Sequence, residues 1–316
     1  MTRLRLSPSA SVTPAGDEVL LRSDLGTFAV RGADTRAFLD HIVPLLDGSR
    51  DAAAIAAALH PYSPRSVEAL LDLLDKRGLL VRVDDEIEGE DDRLRGQEEF
   101  LRRWAGGSGE AARSLRSAHV AIVGLSPWAE AAARAIAASG VAAVDLVAPP
   151  GARREALLAE IAAAAPRCRV EARSAPGERA SLWVVGASLD DDHEIARIAR
   201  VAHEARTPTL WASLAGAAVV VGPLVKPGLT ACRVCMMDEA LGPPRPEPAN
   251  HPPFAPGVIG TLGAALALEA LKVLSGYTES SLAGQVSIQD LRTFESRRHM
   301  LVRVPWCRVC GARPSS

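Results

Sequence analysis

Four cysteines have a spacing that could bind a metal ion. They form two Cys-x-x-Cys pairs, Cys232/Cys235 and Cys307/Cys310. Two thiolates at this spacing can bind one ion from a turn, and two such pairs complete a tetrahedral site that suits Zn²⁺. Because four sulfur ligands leave no open coordination position, the site would be structural. The alternatives are two unrelated cysteine pairs or two redox motifs.

A second feature is a strand-to-helix turn at residues 124–129. A dinucleotide-binding turn uses small residues so that backbone N–H groups can reach the phosphates. Here only Gly124 remains of a G-x-G-x-x-G pattern, and Ser126 precedes Pro127, which has no N–H, and the bulky Trp128. We expect a degenerate turn that binds no cofactor, and we assign no catalytic residue.

Three other segments could carry chemistry but have simpler explanations. Residues 190–192 are three aspartates that could hold Mg²⁺, although capping of the following helix is the commoner role. Residues 241–256 are rich in proline and indicate a loop, either a crossover connection or a docking segment for peptides. The fifth cysteine, Cys168, is expected to be a buried apolar residue.

Length and composition limit the class of protein. The 316 residues predict about two domains. The formal net charge of -2 argues against electrostatic binding of nucleic acid. The start of the chain lacks an apolar signal-peptide core, so we expect a cytoplasmic protein. The longest apolar stretches, 209–225 and 257–274, are interrupted by Gly and Pro or by charged residues, so we expect no membrane span.

The elements that must position these residues fall into two units. Residues 1–85 predict strands at 18–22 and 27–31, then helices that include 49–59 and a helix capped by Ser63, then a last strand, which is a winged-helix pattern. Asp34 is the expected cap of the first helix.

Residues 86–115 are expected to be a linker, with an acidic run at 84–92 and a Gly-rich break at 106–109. Residues 116–316 alternate strand and helix patterns, which predicts a Rossmann-like α/β fold with a parallel sheet. Within it, helix 258–274 is apolar on most sides and is expected to be buried.

The second unit resembles the ThiF/MoeB family of adenylating enzymes over about residues 110–316. The resemblance rests on Val-Ala-Ile-Val-Gly at 120–124, Cys-Arg-Val-Cys at 232–235, the helix 260–276 and Cys-Arg-Val-Cys-Gly at 307–311. It implies structural zinc on the four cysteines and a possible homodimer through this domain.

The chain departs from that family where the family does chemistry. Active members carry an Asp after the second strand to hold the ribose, but here the strand runs into Ala148-Pro149-Pro150. The place of the family's catalytic Asp is occupied by Leu189, with Asp190 one step away. The acceptor-loop cysteine of some members is missing. We therefore expect no adenylation by this chain alone.

The first unit resembles the PqqD-like peptide-recognition domain. The resemblance covers about residues 1–85 and rests on the segment from Leu6-Ser7-Pro8 to Phe28-Ala29-Val30-Arg31-Gly32. It implies that a leader peptide adds as a strand beside residues 27–31, against the third helix. The alternative is that the helix residues of this site belong to the core. The implied peptide-binding residues are Thr27, Phe28, Val30, Arg31, Val67, Leu70, Leu71 and Leu74.

Together, the two resemblances imply a leader-peptide-binding partner in thiazole/oxazole-modified peptide biosynthesis. Such a protein is non-catalytic, contains structural Zn²⁺ and no ATP, and delivers a ribosomal precursor peptide to a separate YcaO-type cyclodehydratase. The alternative is an ATP-dependent adenylating enzyme that acts on a peptide or carrier carboxylate. DNA reading by the winged-helix unit is weakly supported, because Arg65, Lys76 and Arg77 are offset by acidic residues on the same helix.

Overall fold

The chain folds into two compact units in a computed structural model, residues 1–111 and 112–316. The linker predicted at 86–115 includes the helix Arg95–Trp104 and most of the helix Glu110–Ser117, and the acidic run 84–92 lies outside the described residues. The structure describes residues 2–7, 10–16, 18–23, 25–32, 34–60, 62–83, 93–105, 109–177, 179–186, 192–215, 218–239 and 255–311.

The first unit contains two small antiparallel sheets. One has the strand order β5–β1–β6 and the other β2–β3–β4, so β2 and β4 are the edges of the second sheet. The strands are β1 Arg3–Leu6, β2 Ser11–Ala15, β3 Glu18–Ser23, β4 Gly26–Arg31, β5 Asp47–Asp51 and β6 Leu80–Val83. The helices are α1 Thr35–Ile42, α2 Ala52–Ala58, α3 Pro64–Lys76 and α4 Arg95–Trp104.

The local signals in this unit explain most of its helix ends. Ser63 Oγ accepts a hydrogen bond from Ser66 N at the start of α3, as predicted. Asp34 does precede α1, but its side chain makes no capping hydrogen bond. The helix predicted from Ser49 is wrong in its first turn. Residues 49–51 belong to strand β5, and α2 begins at Ala52, where Asp51 accepts from Ala54 N.

The second unit is built on one eight-stranded sheet with the order β14–β13–β12–β11–β10–β7–β8–β9. Strands β9, β8, β7, β10 and β11 are parallel, and β12 to β14 are antiparallel. The strands are β7 His119–Val123, β8 Ala143–Val147, β9 Arg169–Arg173, β10 Leu182–Val185, β11 Thr209–Ala215, β12 Ala218–Val225, β13 Gln285–Asp290 and β14 Ser296–Met300. The predicted Rossmann-like sheet is confirmed in this part.

Helices cover both faces of this sheet. They are α5 Glu110–Ser117, α6 Pro127–Ala138, α7 Ala152–Ala164, α8 Asp192–Glu204, α9 Arg233–Glu239 and α10 Pro256–Ser275. Ile195 and Ala199 of α8 share a buried core with Ala121 and Val123 of β7, so α8 lies on the face to which these two β7 side chains point. Helix α10 packs tightly on α6.

Helix α10 was expected to be buried, but only part of its surface is. Leu262, Leu266 and Ala270 are buried, whereas Gly260 and Leu268 are exposed. In the described part of the chain, α10 is the one helix with the length and apolar composition needed to cross a membrane, and 33% of its apolar window is buried. Core helices of soluble proteins meet the same criteria, so this finding is weak evidence for a membrane span.

Candidate functional site

The four cysteines converge on one buried point. Their sulfur atoms all lie within 4.8 Å of one another. The Sγ–Sγ distances are 3.8 Å for Cys232–Cys235, 3.6 Å for Cys232–Cys307 and 3.3 Å for Cys235–Cys310. A tetrahedral ion with metal–sulfur bonds of about 2.3 Å requires sulfur atoms about 3.8 Å apart. The cluster therefore has the donor set and the size to hold a metal ion such as zinc.

Hydrogen bonds and a tight turn hold the second cysteine pair, Cys307/Cys310, close to the first. The guanidinium of Arg303 donates to the carbonyls of Cys310 and Gly228, which joins the C-terminal turn to the segment that precedes Cys232. Gly311 closes that turn, and a Cβ on it would lie 2.5 Å from the carbonyl oxygen of Cys307. Val304 N also donates to the sulfur of Cys235 at 3.4 Å, as outer-shell donors to ligands do.

The electrostatics of the cluster favour a cation. Burial raises the pKa of Cys235 to about 11, and a hydrogen bond to Cys310 together with burial raises the pKa of Cys232. The hydrogen bond from Cys232 in turn lowers the pKa of Cys310 to about 4. Burial thus disfavours the thiolate forms of Cys232 and Cys235, and a bound divalent cation would stabilise the thiolates of the cluster.

The turn at the end of β7 uses its backbone donors internally. Gly124 N–H donates to the last carbonyl of β8 at 2.9 Å, and Ser126 N–H donates to the carbonyl that follows β10 at 3.1 Å. Ala129 N–H donates to Ser126 Oγ at 3.3 Å, which caps α6. Pro127 has no N–H to offer. Three donors that could bind a phosphate are thus already paired.

Close packing leaves little room beside this turn. Gly186 follows β10, and a Cβ on it would lie 2.1 Å from Ala129 Cβ and 3.0 Å from Ser126 Oγ. Trp128 is buried. Ala148 lies in the segment after β8, where active members of the resembled family carry a ribose-binding Asp. Its carbonyl accepts a hydrogen bond from Arg154 Nη1 at 2.8 Å. Leu189 and Asp190, as well as the proline-rich segment 241–256 up to residue 254, lie outside the described residues.

The predicted peptide site consists of an exposed strand and a buried helix. In β4, Thr27 and Arg31 are exposed, whereas Phe28 and Val30 are partly buried against the core. Arg31 forms an ion pair with Glu18 on β3, and the guanidinium of Arg77 lies 4.3 Å from the ring centroid of Phe28. The edge of β4 that faces away from β3 has no partner strand among the described residues.

The helix residues of this site occupy the core, as the alternative interpretation held. Val67, Leu70, Leu71 and Leu74 of α3 are 0–9% exposed and pack in the hydrophobic core of the first unit. Because almost no surface of these side chains is accessible in the free chain, they cannot form an open wall for a peptide. Any site at β4 must therefore depend on the strand edge and on Phe28 and Val30.

Sequence reasoning missed one polar cluster. Asp145, in the middle of β8, is 1% exposed, and its Oδ2 lies close to His119 and Arg173 on the neighbouring strands. An acidic residue inside a strand of buried apolar residues was the signal that could have found it, because a buried carboxylate needs a partner. Cys168 is buried as predicted, and burial raises its pKa to about 11.

Comparisons with known proteins give short sequence matches and no family profile. No family profile matches the chain. Over 65 residues the chain is 45% identical to the adenylyltransferase and sulfurtransferase uba4 of Ogataea parapolymorpha, covering 17% of this chain and 16% of that protein. Over 54 residues it is 39% identical to the molybdopterin-synthase adenylyltransferase of Escherichia coli K12, covering 17% and 21%. The matches therefore span about a fifth or less of these relatives.

Solved structures match almost the whole chain. MccB, a microcin C7 biosynthetic enzyme, in complex with N-formylated MccA, has a TM-score of 0.77 at 16% identity, covering 98% of this chain and 100% of MccB. Escherichia coli MccB with ATP gives 0.75 at 15%, with the same coverage. A heterocyclase in complex with substrate and cofactor gives 0.66 at 19%, covering 98% of this chain and 40% of that one. The chain therefore has the fold of MccB.

Proposed function

We propose that this protein is a non-catalytic scaffold that binds the leader of a ribosomal precursor peptide and delivers it to a separate YcaO-type cyclodehydratase. The observation that carries the proposal is the turn after β7. Its fold is that of a nucleotide-binding turn, but Gly124, Ser126 and Ala129 donate their N–H groups within the protein. A phosphate would have to displace these hydrogen bonds, each of which contributes about 1 kcal/mol.

The free edge of β4 is the surface proposed for the peptide. An extended peptide that adds to a sheet edge gains main-chain hydrogen bonds, and its alternate side chains contact the face beside it. The opposite edge of the same sheet, β2, carries Pro14, which cannot donate to an added strand. Strand β4 contains no proline. Arg31, whose side chain is 77% exposed, adds a positive charge for an acidic residue of the leader.

The solved structures support peptide capture by this fold. One relative in fold is described in complex with N-formylated MccA, and another is a heterocyclase in complex with its substrate. The chain matches 40% of that heterocyclase, so the likeness concerns a part of it, and cyclodehydration is assigned to a partner protein. The first unit acts in this proposal as a PqqD-like recognition domain.

The four cysteines are assigned a structural Zn²⁺. The sulfur separations fit a tetrahedral thiolate site, and four such ligands leave no position for a substrate. The ion would tie the C-terminal turn to the segment before α9 and take no part in chemistry. A homodimer through the second unit is part of the proposal.

Peptide binding is tested by fluorescence polarisation with the full chain and labelled leader peptides from precursors encoded near this gene. We expect Ala29→Pro in β4 to weaken binding at least tenfold, which corresponds to about 1.4 kcal/mol. The matched control is Val12→Pro in β2, the other edge of the sheet, where the alternation of the ladder also directs the N–H away from β3; this variant should bind as the wild type does. Circular dichroism checks that both variants are folded. Wild-type protein that binds none of the leaders contradicts the scaffold, whereas equal binding by folded Ala29→Pro contradicts only the site.

The second candidate is an ATP-dependent adenylating enzyme that acts on a peptide or carrier carboxylate. It is favoured by the sequence matches, both of which are adenylyltransferases, and by the fold shared with an MccB structure that contains ATP. ATP–pyrophosphate exchange with the same leader and precursor peptides separates the two functions. Peptide-dependent exchange by the chain alone would establish the enzyme and reject the non-catalytic scaffold.

A further inference from the structure

A polar pocket lies on the sheet of the second unit, near its β9 edge. It has a volume of about 360 Å³ and is lined by His119, Arg169, Glu171, Arg173, Gly177 and Arg179. His119 is the first residue of β7, and it shares a face with Ala121 because side chains alternate along a strand. The pocket therefore opens on the face that carries α8, and none of its lining residues belongs to the cysteine cluster or to the turn after β7.

A buried carboxylate anchors this pocket. Asp145 Oδ2 lies 3.1 Å from His119 Nε2 and 2.9 Å from Arg173 Nε, although neither contact has the angles of a hydrogen bond. His119 is 8% exposed and Asp145 1%. The segment after β9 passes close above, since a Cβ on Gly177 would lie 3.3 Å from Asp145 Oδ2. Asp145 thus holds an imidazole and a guanidinium at the wall of the pocket.

The arginines of the pocket keep donors for a ligand. Glu171 forms an ion pair with Arg169, whose Nε lies 3.2 Å from a carboxylate oxygen, and accepts a hydrogen bond from Arg173 Nη2 at 2.6 Å. Arg169 and Arg173 each retain a guanidinium nitrogen that has no hydrogen bond or ion pair to any described residue. The guanidinium of Arg179 forms no ion pair with any described residue. Three guanidinium groups against the carboxylates of Glu171 and Asp145 leave a net positive charge.

We propose that this pocket binds the phosphate group of a small molecule. Guanidinium groups present planar pairs of N–H donors that match phosphate and carboxylate oxygens. Three guanidiniums and an imidazole around one pocket suit the three or four oxygens of a phosphate better than the two of a carboxylate. A metal ion does not fit, because the arginines would repel it. The four cysteines are the only metal-binding group of three or more side chains found in the described part of the chain.

The proposal is independent of the leader-peptide function and is tested by isothermal titration calorimetry with the full chain. Inorganic phosphate should bind with one site per chain. The double variant Arg169→Ala/Arg179→Ala should weaken binding at least tenfold. The matched control is Arg297→Ala on β14, an exposed arginine at the opposite edge of the same sheet that also lies near a carboxylate. This control should bind phosphate as the wild type does.

Two further probes define the ligand. Acetate should bind at least tenfold more weakly than phosphate. Adenosine monophosphate that binds more tightly than phosphate, with the same loss in the double variant, would support the site and assign it to a phosphate monoester. The proposal is overturned if millimolar phosphate gives no binding, if acetate binds as well as phosphate, or if the double variant and Arg297→Ala bind equally.

Discussion

The cysteine cluster and the turn after β7 are two places where the second unit could hold a ligand, and their donors are used in opposite ways. In the cluster, the sulfur atoms of four side chains from two distant segments of the chain lie within 4.8 Å of one another. In the turn, three main-chain N–H groups donate to acceptors of the protein: the last carbonyl of β8, the carbonyl after β10 and the side chain that caps α6. The thiols of the cluster thus face one another, whereas the three N–H donors of the turn stabilise the protein's own elements.

The two regions also differ in whether their polar groups are balanced within the protein. Four thiolates with sulfur atoms 3.3–3.8 Å apart repel one another, so the cluster cannot ionise fully unless a cation compensates the charge. The turn has no such deficit, since its paired donors and its close contact at Gly186 make it complete without a ligand. Removing a donor should therefore have a large effect in the cluster and a small one in the turn.

The largest effect is expected from Cys307→Ser. Loss of one thiolate should reduce bound zinc from one ion per chain to much less. Structural zinc contributes about 10–16 kcal/mol in small domains, so losing even a part of this should cost several kcal/mol here. At about 2–4 °C per kcal/mol, the melting temperature should fall by about 10 °C or more. Metal analysis by mass spectrometry and thermal unfolding measure the two quantities.

Cys168→Ser is the matched control for this variant. Cys168 is also buried but lies outside the cluster. It should keep its metal and lose far less stability. Freshly purified wild-type protein without any bound metal, or equal destabilisation by the two serine variants, would show that the cluster is not a metal site.

Gly186→Ala tests whether the turn is closed by packing. The added methyl group would meet Ala129 Cβ at 2.1 Å, and overpacking of this kind costs about 1–3 kcal/mol. Gly257→Ala in α10 is the control, because nothing lies within 4 Å of its Cβ and alanine in a helix gains up to about 1 kcal/mol over glycine. Chemical denaturation measures both changes. If Gly186→Ala is as stable as the wild type, the turn has room that the structure does not show.

Sequence patterns predicted the parallel half of the sheet better than the antiparallel half. The alternating pattern over 116–316 predicted a parallel sheet, and its strands β7, β8 and β10 are runs of buried residues. Strand β14 escaped prediction because Ser-Arg-Arg-His-Met is mostly polar and all five residues are exposed, so the sequence has no apolar alternation there and the strand forms by pairing with β13. Strand β5 was also missed, because Asp-Gly-Ser-Arg-Asp has no apolar residue and forms a strand by pairing with β1.

For the candidate sites, spacing was informative only where side chains carry the chemistry. Two Cys-x-x-Cys pairs predicted the cluster, because the spacing of the thiol ligands can be read directly from the sequence. Helical periodicity in α3 could not distinguish a core face from a peptide-binding face, and the structure assigns Leu71 and Leu74 to the core. The contacts of Asp145 with His119 and Arg173 depend on strand order, which no local pattern contains.

The smallest effect is expected from Ser126→Ala, and it bears most directly on the turn. Ser126 caps α6, and loss of an N-cap costs about 1 kcal/mol. Ser63→Ala at the cap of α3 is the control and should lower the free energy of unfolding of its own unit by about the same amount, because the Ser63 side chain makes the equivalent hydrogen bond.

If Ser126 serves only the helix, 1 mM ATP with Mg²⁺ should leave the melting temperature of both variants and of the wild type unchanged. A nucleotide with a dissociation constant of about 10 μM would instead add about 2.7 kcal/mol at this concentration. A rise in the wild type that Ser126→Ala abolishes and Ser63→Ala keeps would show that the turn binds nucleotide after all. A rise that survives Ser126→Ala but is lost in Arg169→Ala/Arg179→Ala would place the nucleotide in the pocket beside β9.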